Sequence, residues 1–322
     1  MSEPTLTPPE SSWPKNVRRL LLLGLSTYLA IVVMLAVLQR AMIYLPARQS
    51  RIDPQEAGLA AGRVHSIALQ TDDGLELHGW HVLPDGHAAA DREACDAQLA
   101  LGRPVVLYFS GNAGHRAWRI EDFEVFAHLD CDVFVFDYRG YGDNPGSPSE
   151  ARLAADATAA WRYATQLRRI PPRRLILFGE SLGGGVAVRL AAEQCAAGTP
   201  PGGLVLRATF SSLADAAAYH YPWLPVRWLL VDRYESARRM PQVSCPLLHL
   251  HGLRDSIIPV GLGRKLFAAA PPQSAHGIPK RFVELPAADH NDILAVAGAE
   301  VEAAVAQFLK HLEEHRNTEK PG

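Results

Sequence analysis

The sequence predicts an α/β domain built on a mostly parallel sheet and preceded by one membrane-spanning helix. Three observations carry this reading. A run from Leu20 to Leu38 holds no charged residue. Further on, short and solid apolar runs alternate with helical stretches, as strands buried on both faces of a parallel sheet do. One of those runs feeds Gly179-Glu180-Ser181-Leu182-Gly183, and an Ala/Val-rich helical stretch follows it.

The 322 residues suffice for an anchor and one well-filled domain. Composition is that of a globular protein, 48% hydrophobic and 20% charged, which argues against a largely disordered chain. A net charge of −2 supplies no basic field for nucleic acid. The four cysteines, Cys95, Cys131, Cys195 and Cys245, show no C-x-x-C spacing, so neither a zinc site nor a redox motif is indicated. Cys131 and Cys245 flank apolar runs and read as small buried thiols.

Residues 1–19, with Pro4, Pro8, Pro9 and Pro14, read as a disordered tail. The apolar run at 20–38 would span roughly 29 Å as a helix, close to a bilayer core. A signal peptide has a shorter apolar region and a small-x-small cleavage site, whereas Gln39, Arg40, Ala41 and Met42 follow here. Lys15, Arg18 and Arg19 precede the run, and Arg40, Arg48 and Arg51 follow it, so the positive-inside count is tied. The basic residues on the short N-terminal side sit closer. The expectation is therefore a single-pass protein of a bacterial inner membrane, with its catalytic domain on the periplasmic side. Residues 39–63 read as a juxtamembrane connection and 64–316 as the domain.

The domain opens with VHSIALQT and LELHGWHVL around Asp72-Asp73-Gly74, a hairpin signal. Residues 85–103 are polar and Ala-rich and read as a surface insertion. Buried strands are predicted at Val105–Phe109, Asp132–Phe136, Arg174–Phe178, Gly203–Arg207, Cys245–His249 and Arg281–Leu285. Helices are predicted at about 116–128, 149–168, 181–197, 261–269 and 291–315, the last strongly amphipathic.

The G-x-S-x-G motif at 179–183 gains its meaning from its setting. Between a strand and a helix, its glycines permit a sharp turn that lifts the Ser181 hydroxyl above the sheet. The Leu182 amide, at the helix N-terminus, then faces a developing oxyanion. A serine hydroxyl needs a base, and the base needs an orienting acid. LLHLHGLRDSIIP places Asp255 just past one predicted strand, and ELPAADHNDI places His290 just past the last. Loops at strand C-terminal ends are where ligands gather in such sheets. The loop Ser110-Gly111-Asn112-Ala113-Gly114 follows another strand, and Asn112 is chosen as the second oxyanion donor. His249 and His251 read as structural, Glu180 as a buried hydrogen-bonding or steering residue, and Asp292 as a helix cap. No metal or organic cofactor is indicated, since His290 lacks companion ligands.

Together these residues resemble the α/β-hydrolase family, in particular its membrane-anchored single-pass branch related to the eukaryotic protein depalmitoylases. QRAMIYLPAR is similar to that group's junction after the anchor. SGNAG is similar to its oxyanion loop, and FDYRGYGDNPGSPSE to its strand-loop-helix signature. GESLGG, HGLRDSIIP and DHNDI match its triad motifs in order. The resemblance implies an α/β-hydrolase fold with an eight-stranded, mostly parallel sheet, a short lid and the first hairpin at one edge. It implies a serine hydrolase with catalytic Ser181, Asp255 and His290 and an oxyanion hole at Asn112 and Leu182. One departure is Ser110, where the group usually has His before the glycine.

Residues 211–243 form the expected lid. Tyr219, Tyr221, Trp223, Leu224, Trp228, Leu229 and Leu230 within it suit an apolar acyl group. The expected substrate is a small or lipid-like acyl ester or thioester, or an acylated protein, with the membrane as a partner and no nucleic acid. Two alternatives stand beside this expectation, a peptidase or amidase of the same fold and a catalytically silent membrane scaffold.

Overall fold

The computed structural model describes residues 15–318 and divides into two units, Met1–Gln39 and Arg40–Gly322. The expected tail is described only from Lys15, where it is already helical; its earlier residues lie outside the described ones. The first unit is formed by helix α1 (Lys15–Ile43) up to Gln39. Its most apolar window has a mean hydropathy of 2.6, and Leu20, Leu21, Leu23, Leu29 and Val33 are exposed. By length and composition it is a candidate to cross a membrane.

The second unit begins at Arg40, not at 64. Residues 40–63, all but the first of the juxtamembrane connection expected at 39–63, pack with the domain. The chain pairs Leu45 with Ala113 and Pro46 with Gly114 in a short parallel bridge. This pairing is between segments far apart in sequence, and no local pattern announces it.

The main sheet has eight strands: β1 (Val64–Gln70), β2 (Glu76–Val82), β3 (Val105–Phe109), β4 (Asp132–Phe136), β5 (Leu175–Glu180), β6 (Gly203–Arg207), β7 (Leu247–Gly252) and β8 (Arg281–Leu285). Their spatial order is β8-β7-β6-β5-β3-β4-β2-β1. The hairpin β1–β2 is antiparallel, β2 runs antiparallel to β4, and the remaining pairs are parallel. Side chains alternate between the two faces, so each central strand feeds two cores. Leu107, Phe134, Leu177 and Leu204 pack with Leu153, Trp161, Val186 and Leu190 from helices α4 (Glu150–Arg162) and α5 (Leu182–Ala196). Val106, Val133, Ile176 and Val205 face Phe123 and Phe126 of α3 (Ile120–His128) and Val301, Val305 and Phe308 of α10 (Ile293–Thr318). Burial on both faces explains the uninterrupted apolar runs.

The stretch at 85–103, expected as an insertion, holds helix α2 (Arg92–Ala100). Asp91 caps it by accepting from the Ala94 amide, and Cys95 and Leu99 bury its inner face. The predicted helix from 149 ends early as regular α-helix, widening into a π-turn at Tyr163–Leu167. All four cysteines are free. The segment expected as a lid, residues 211–243, folds as α6 (Leu213–His220), α7 (Val226–Leu229) and α8 (Ser236–Arg239), and α9 (Val260–Ala268) follows β7.

Candidate active site

Strand β5 delivers the chain to Ser181, which has φ 50° and ψ −115° before α5 begins at Leu182. A non-glycine residue held there is strained, and packing must hold it. Gly179 and Gly183 allow it. A Cβ on Gly179 would lie 2.6 Å from the Gly183 carbonyl oxygen, and one on Gly183 only 2.1 Å from that of Phe109. The turn is fixed further by the Ser181 amide donating to the Arg207 carbonyl at 2.9 Å and by the Thr209 hydroxyl donating to the Ser181 carbonyl at 2.7 Å.

The structure brings the three expected side chains together. His290 Nε2 lies 3.1 Å from Ser181 Oγ, and His290 Nδ1 lies 2.8 Å from Asp255 Oδ2. A carboxylate can only accept, so Nδ1 carries the hydrogen and Nε2 is left bare for the serine hydroxyl. Asp255 is itself held on every side. Its Oδ1 accepts from the amides of Ile257 at 3.0 Å and Ile258 at 2.6 Å. Its Oδ2 also meets His251 Nε2 at 3.4 Å, and that same nitrogen donates to the Ile258 carbonyl at 2.8 Å. Burial pushes the Asp255 carboxyl up, but its contacts with His251 and His290 and the Ile258 amide outweigh it and hold the pKa at about 2.

Asp289 and Ser256 escaped the sequence reading. Asp289 Oδ1 accepts from the His290 amide and the Ser256 amide, both at 2.7 Å, and the Ser256 hydroxyl adds two contacts at 3.0 Å. This carboxylate ties the acid loop to the histidine loop. Asp292, expected as a helix cap, stands directly before Ile293 with its carbonyl accepting from the Val296 amide at 2.9 Å, and its side chain accepts from the Asp289 amide at 2.7 Å and supports that tie. His251, expected to be structural, does support a fold element, and it also lies 3.4 Å from Asp255.

Glu180, next to Ser181, sits in a buried charge cluster. The Tyr108 hydroxyl donates to it at 3.0 Å, Arg119 lies 3.2 Å away and Arg207 3.5 Å, and Arg207 also pairs with Asp122. Burial disfavours its charge, yet the two guanidiniums and the hydroxyl prevail and the carboxyl is held below its ordinary value. Arg119 also donates to the Ala113 carbonyl at 2.9 Å. The expected steering residue is thus wired to the loop at 110–114. Its partners lie on other elements, so spacing along the chain gave no signal of them.

Asn112 lies in that loop, where the sequence reading placed it. Its carbonyl accepts from the Leu45 amide at 2.9 Å and the Tyr141 hydroxyl at 2.8 Å, and its side-chain nitrogen donates to the Ile43 carbonyl at 2.9 Å. Leu182 is the first residue of α5, so its amide belongs to the helix N-terminus. Ser110 is buried, its carbonyl accepts from the Tyr138 hydroxyl at 3.2 Å, and its own hydroxyl has no protein partner among the described residues.

Three groups on the surface, Asp85, Glu124 and His128, come close enough to suggest a metal site. Arg63 already pairs with both Asp85 and Glu124, which offsets half of their negative charge. In the lid segment, Asp215 gathers Lys265 at 2.7 Å, the Ser211 hydroxyl at 2.7 Å and Arg227. His220 reaches the Ile257 carbonyl at 2.7 Å and so docks α6 on the acid loop. Trp228 is 89% exposed and Trp223 57%, so these rings do not fill the domain core.

An eight-stranded sheet with a strained serine between strand and helix, and a histidine and an acid in later loops, defines the α/β-hydrolase class. The comparisons agree: a family model of the alpha/beta hydrolase fold matches residues 104–238. The uncharacterized protein Rv2307c of Mycobacterium tuberculosis is 40% identical over 271 residues, 84% of this chain and 87% of its own. The lysophosphatidylserine lipase ABHD12 of Danio rerio is 34% identical over 296 residues, 83% of this chain and 76% of its own. Among solved structures, the Pyrococcus furiosus esterase Pf2001 superposes with a TM-score of 0.59 at 18% identity, covering 84% of this chain and 97% of that one. The chain belongs to the α/β-hydrolase family.

Proposed function

We propose that this protein is a serine hydrolase that cleaves carboxylic esters of apolar acyl groups through an acyl-enzyme. The observation that carries the proposal is the unbroken contact from Ser181 Oγ through His290 to Asp255. In the first half-reaction Ser181 Oγ bonds to the acyl carbon as its proton passes to His290 Nε2. The carbonyl electron pair moves onto oxygen, facing the amides of Asn112 and Leu182. Collapse of this intermediate breaks the bond to the leaving group, which takes the proton from Nε2. Water then repeats the sequence, giving its proton to Nε2 and its oxygen to the acyl carbon, and Ser181 recovers its hydrogen. Each oxyanion donor is worth about 10²–10³ in turnover in enzymes of this kind.

Lipid-like esters are the favoured substrates. A relative's name as a lysophosphatidylserine lipase, the apolar span and the aromatic lid segment all support that choice. Thioesters of acylated proteins share the same acyl chemistry and are the second reading, supported by the motifs of the depalmitoylase-related branch. The proposal keeps the domain on the periplasmic side, supported by Lys15, Arg18 and Arg19 ahead of the span.

A fluorophosphonate probe on the full-length wild type and on Ser181→Ala tests the nucleophile. Labelling of the wild type alone is expected; labelling of both, or of neither, rejects the assignment. A p-nitrophenyl ester series of increasing chain length tests the acyl preference, and flat rates across the series would remove it.

A further inference from the structure

The motif QRAMIYLPAR was set apart by resemblance, and nothing in the proposed reaction uses it. Its residues touch two parts of the candidate site. From Ile43 onwards the strap meets the loop at 110–114. The Ile43 carbonyl accepts from the Asn112 side chain, the Leu45 amide donates to the Asn112 carbonyl, and the Ala47 amide donates to the Gly114 carbonyl at 3.2 Å. At Arg40 and Tyr44 it meets the lid segment. Arg40 grips both oxygens of Asp232, at 2.9 and 3.1 Å. The Tyr44 hydroxyl lies 3.0 Å from Asp232 Oδ2 and 2.9 Å from the Tyr234 hydroxyl. Since the carboxylate accepts only, Tyr44 donates to Asp232 and Tyr234 donates to Tyr44.

Tyr44, Asp232 and Tyr234 are all buried. Buried polar groups have few alternative partners, so such a network holds one geometry. Tyr234 continues the chain of contact to the nucleophile helix: a Cβ on Gly185 would lie 2.8 Å from its ring. On the opposite flank, Arg119 holds the Ala113 carbonyl and pairs with Glu180 beside Ser181. The loop carrying Asn112 is therefore clamped from both sides.

We infer that the segment Arg40–Ala47, directly after the apolar run, is a positioning element of the catalytic centre: it sets the Asn112 backbone amide against the oxyanion and ties that loop to the lid. This rests on the reading of Ser181 as nucleophile and Asn112 as donor. Residues 40–47 do not touch the reacting atoms; they act through Asn112. The loop needs such support because Gly111 and Gly114 lie within it, the latter at φ +87°, and glycine leaves the backbone few intrinsic preferences.

The test uses the full-length protein with three variants: Asn112→Ala, Asn112→Asp and Tyr44→Phe. Asn112→Asp keeps the size but removes the donor to the Ile43 carbonyl, and Tyr44→Phe keeps the ring but removes the link to Asp232. Two inhibitors of one chain length are compared, an alkyl trifluoromethyl ketone, which forms an oxyanion on Ser181, and the matching secondary alcohol, which does not. The expected result is a fall in kcat of about 10–100-fold for both Asn112 variants, below the full cost of one lost donor, with KM little changed. Trifluoromethyl ketone affinity should fall in parallel while alcohol affinity holds. Tyr44→Phe should show the same signature at several-fold. Unchanged kcat in all three variants, or equal weakening of both inhibitors, would overturn the inference. Fluorophosphonate labelling of Ser181 in the wild type separates the two failures. Absence of that label fails the nucleophile reading, whereas a labelled wild type with indifferent variants fails only the strap.

Discussion

His290 Nδ1 lies 2.8 Å from Asp255 Oδ2, and this contact decides which ring nitrogen faces Ser181. Three donors converge on the Asp255 carboxylate, from Ile257, Ile258 and His290, and His251 Nε2 lies 3.4 Å from it. With its pKa held at about 2, it is ionised at any pH at which the enzyme would work.

Asp255→Asn therefore presents an amide where a pure acceptor is needed. The side-chain amide is free to turn its NH₂ towards Nδ1, which then keeps its lone pair and sends the hydrogen to Nε2. Turnover is expected to fall on the order of 10⁴, by analogy with the corresponding change in a serine protease. Steady-state kinetics on a p-nitrophenyl ester checks this, and a loss below tenfold would argue against the orienting role.

Glu180 neutralises buried positive charge beside Ser181. Glu180→Gln leaves Arg119 without its carboxylate and leaves Arg207 with Asp122 alone. Removing one partner from a buried ion pair costs about 3–5 kcal/mol. For a domain of this size the thermal midpoint is expected to drop by roughly 6–15 °C. A scanning measurement showing an unchanged midpoint would contradict the account of the cluster.

His249 is fully buried, and burial together with the neighbouring His251 holds its pKa well below the ordinary value. The unfolded chain takes up a proton there below about pH 6.5, whereas the folded chain refuses it. The stability contribution is therefore complete above that pH and is lost progressively as pH falls below it. His249→Gln removes this term. Thermal midpoints compared between pH 7.5 and pH 5.5 should fall less steeply in the variant, and parallel slopes would count against the assignment.

Much of this was legible in the chain because it rests on local patterns. Val105–Phe109, Asp132–Phe136, Gly203–Arg207 and Arg281–Leu285 have the predicted bounds, since strands buried on both faces leave solid apolar runs. The turn at Ser181 was legible because its glycines and flanking elements are contiguous. His290 and Asp255 were found by their order and by their places just past strands. The clamp on Asn112 was not legible. Its partners Ile43, Leu45 and Tyr141 are remote in sequence, and a bridge of two residues leaves no periodicity to read. The same holds for Arg119, Asp122 and Arg207 around Glu180. Helix α2 was missed because its Ala-rich, polar sequence hides an inner face made only of Cys95 and Leu99.

The account depends most on a covalent bond to Ser181. Rapid acid quenching of the full-length enzyme during turnover of a p-nitrophenyl ester, followed by peptide mass spectrometry, tests it directly. The expected result is the acyl group on the peptide containing Ser181, formed with a burst of p-nitrophenol and absent from Ser181→Ala. Undiminished hydrolysis in Ser181→Ala, or an acyl group found only on another residue, would contradict it.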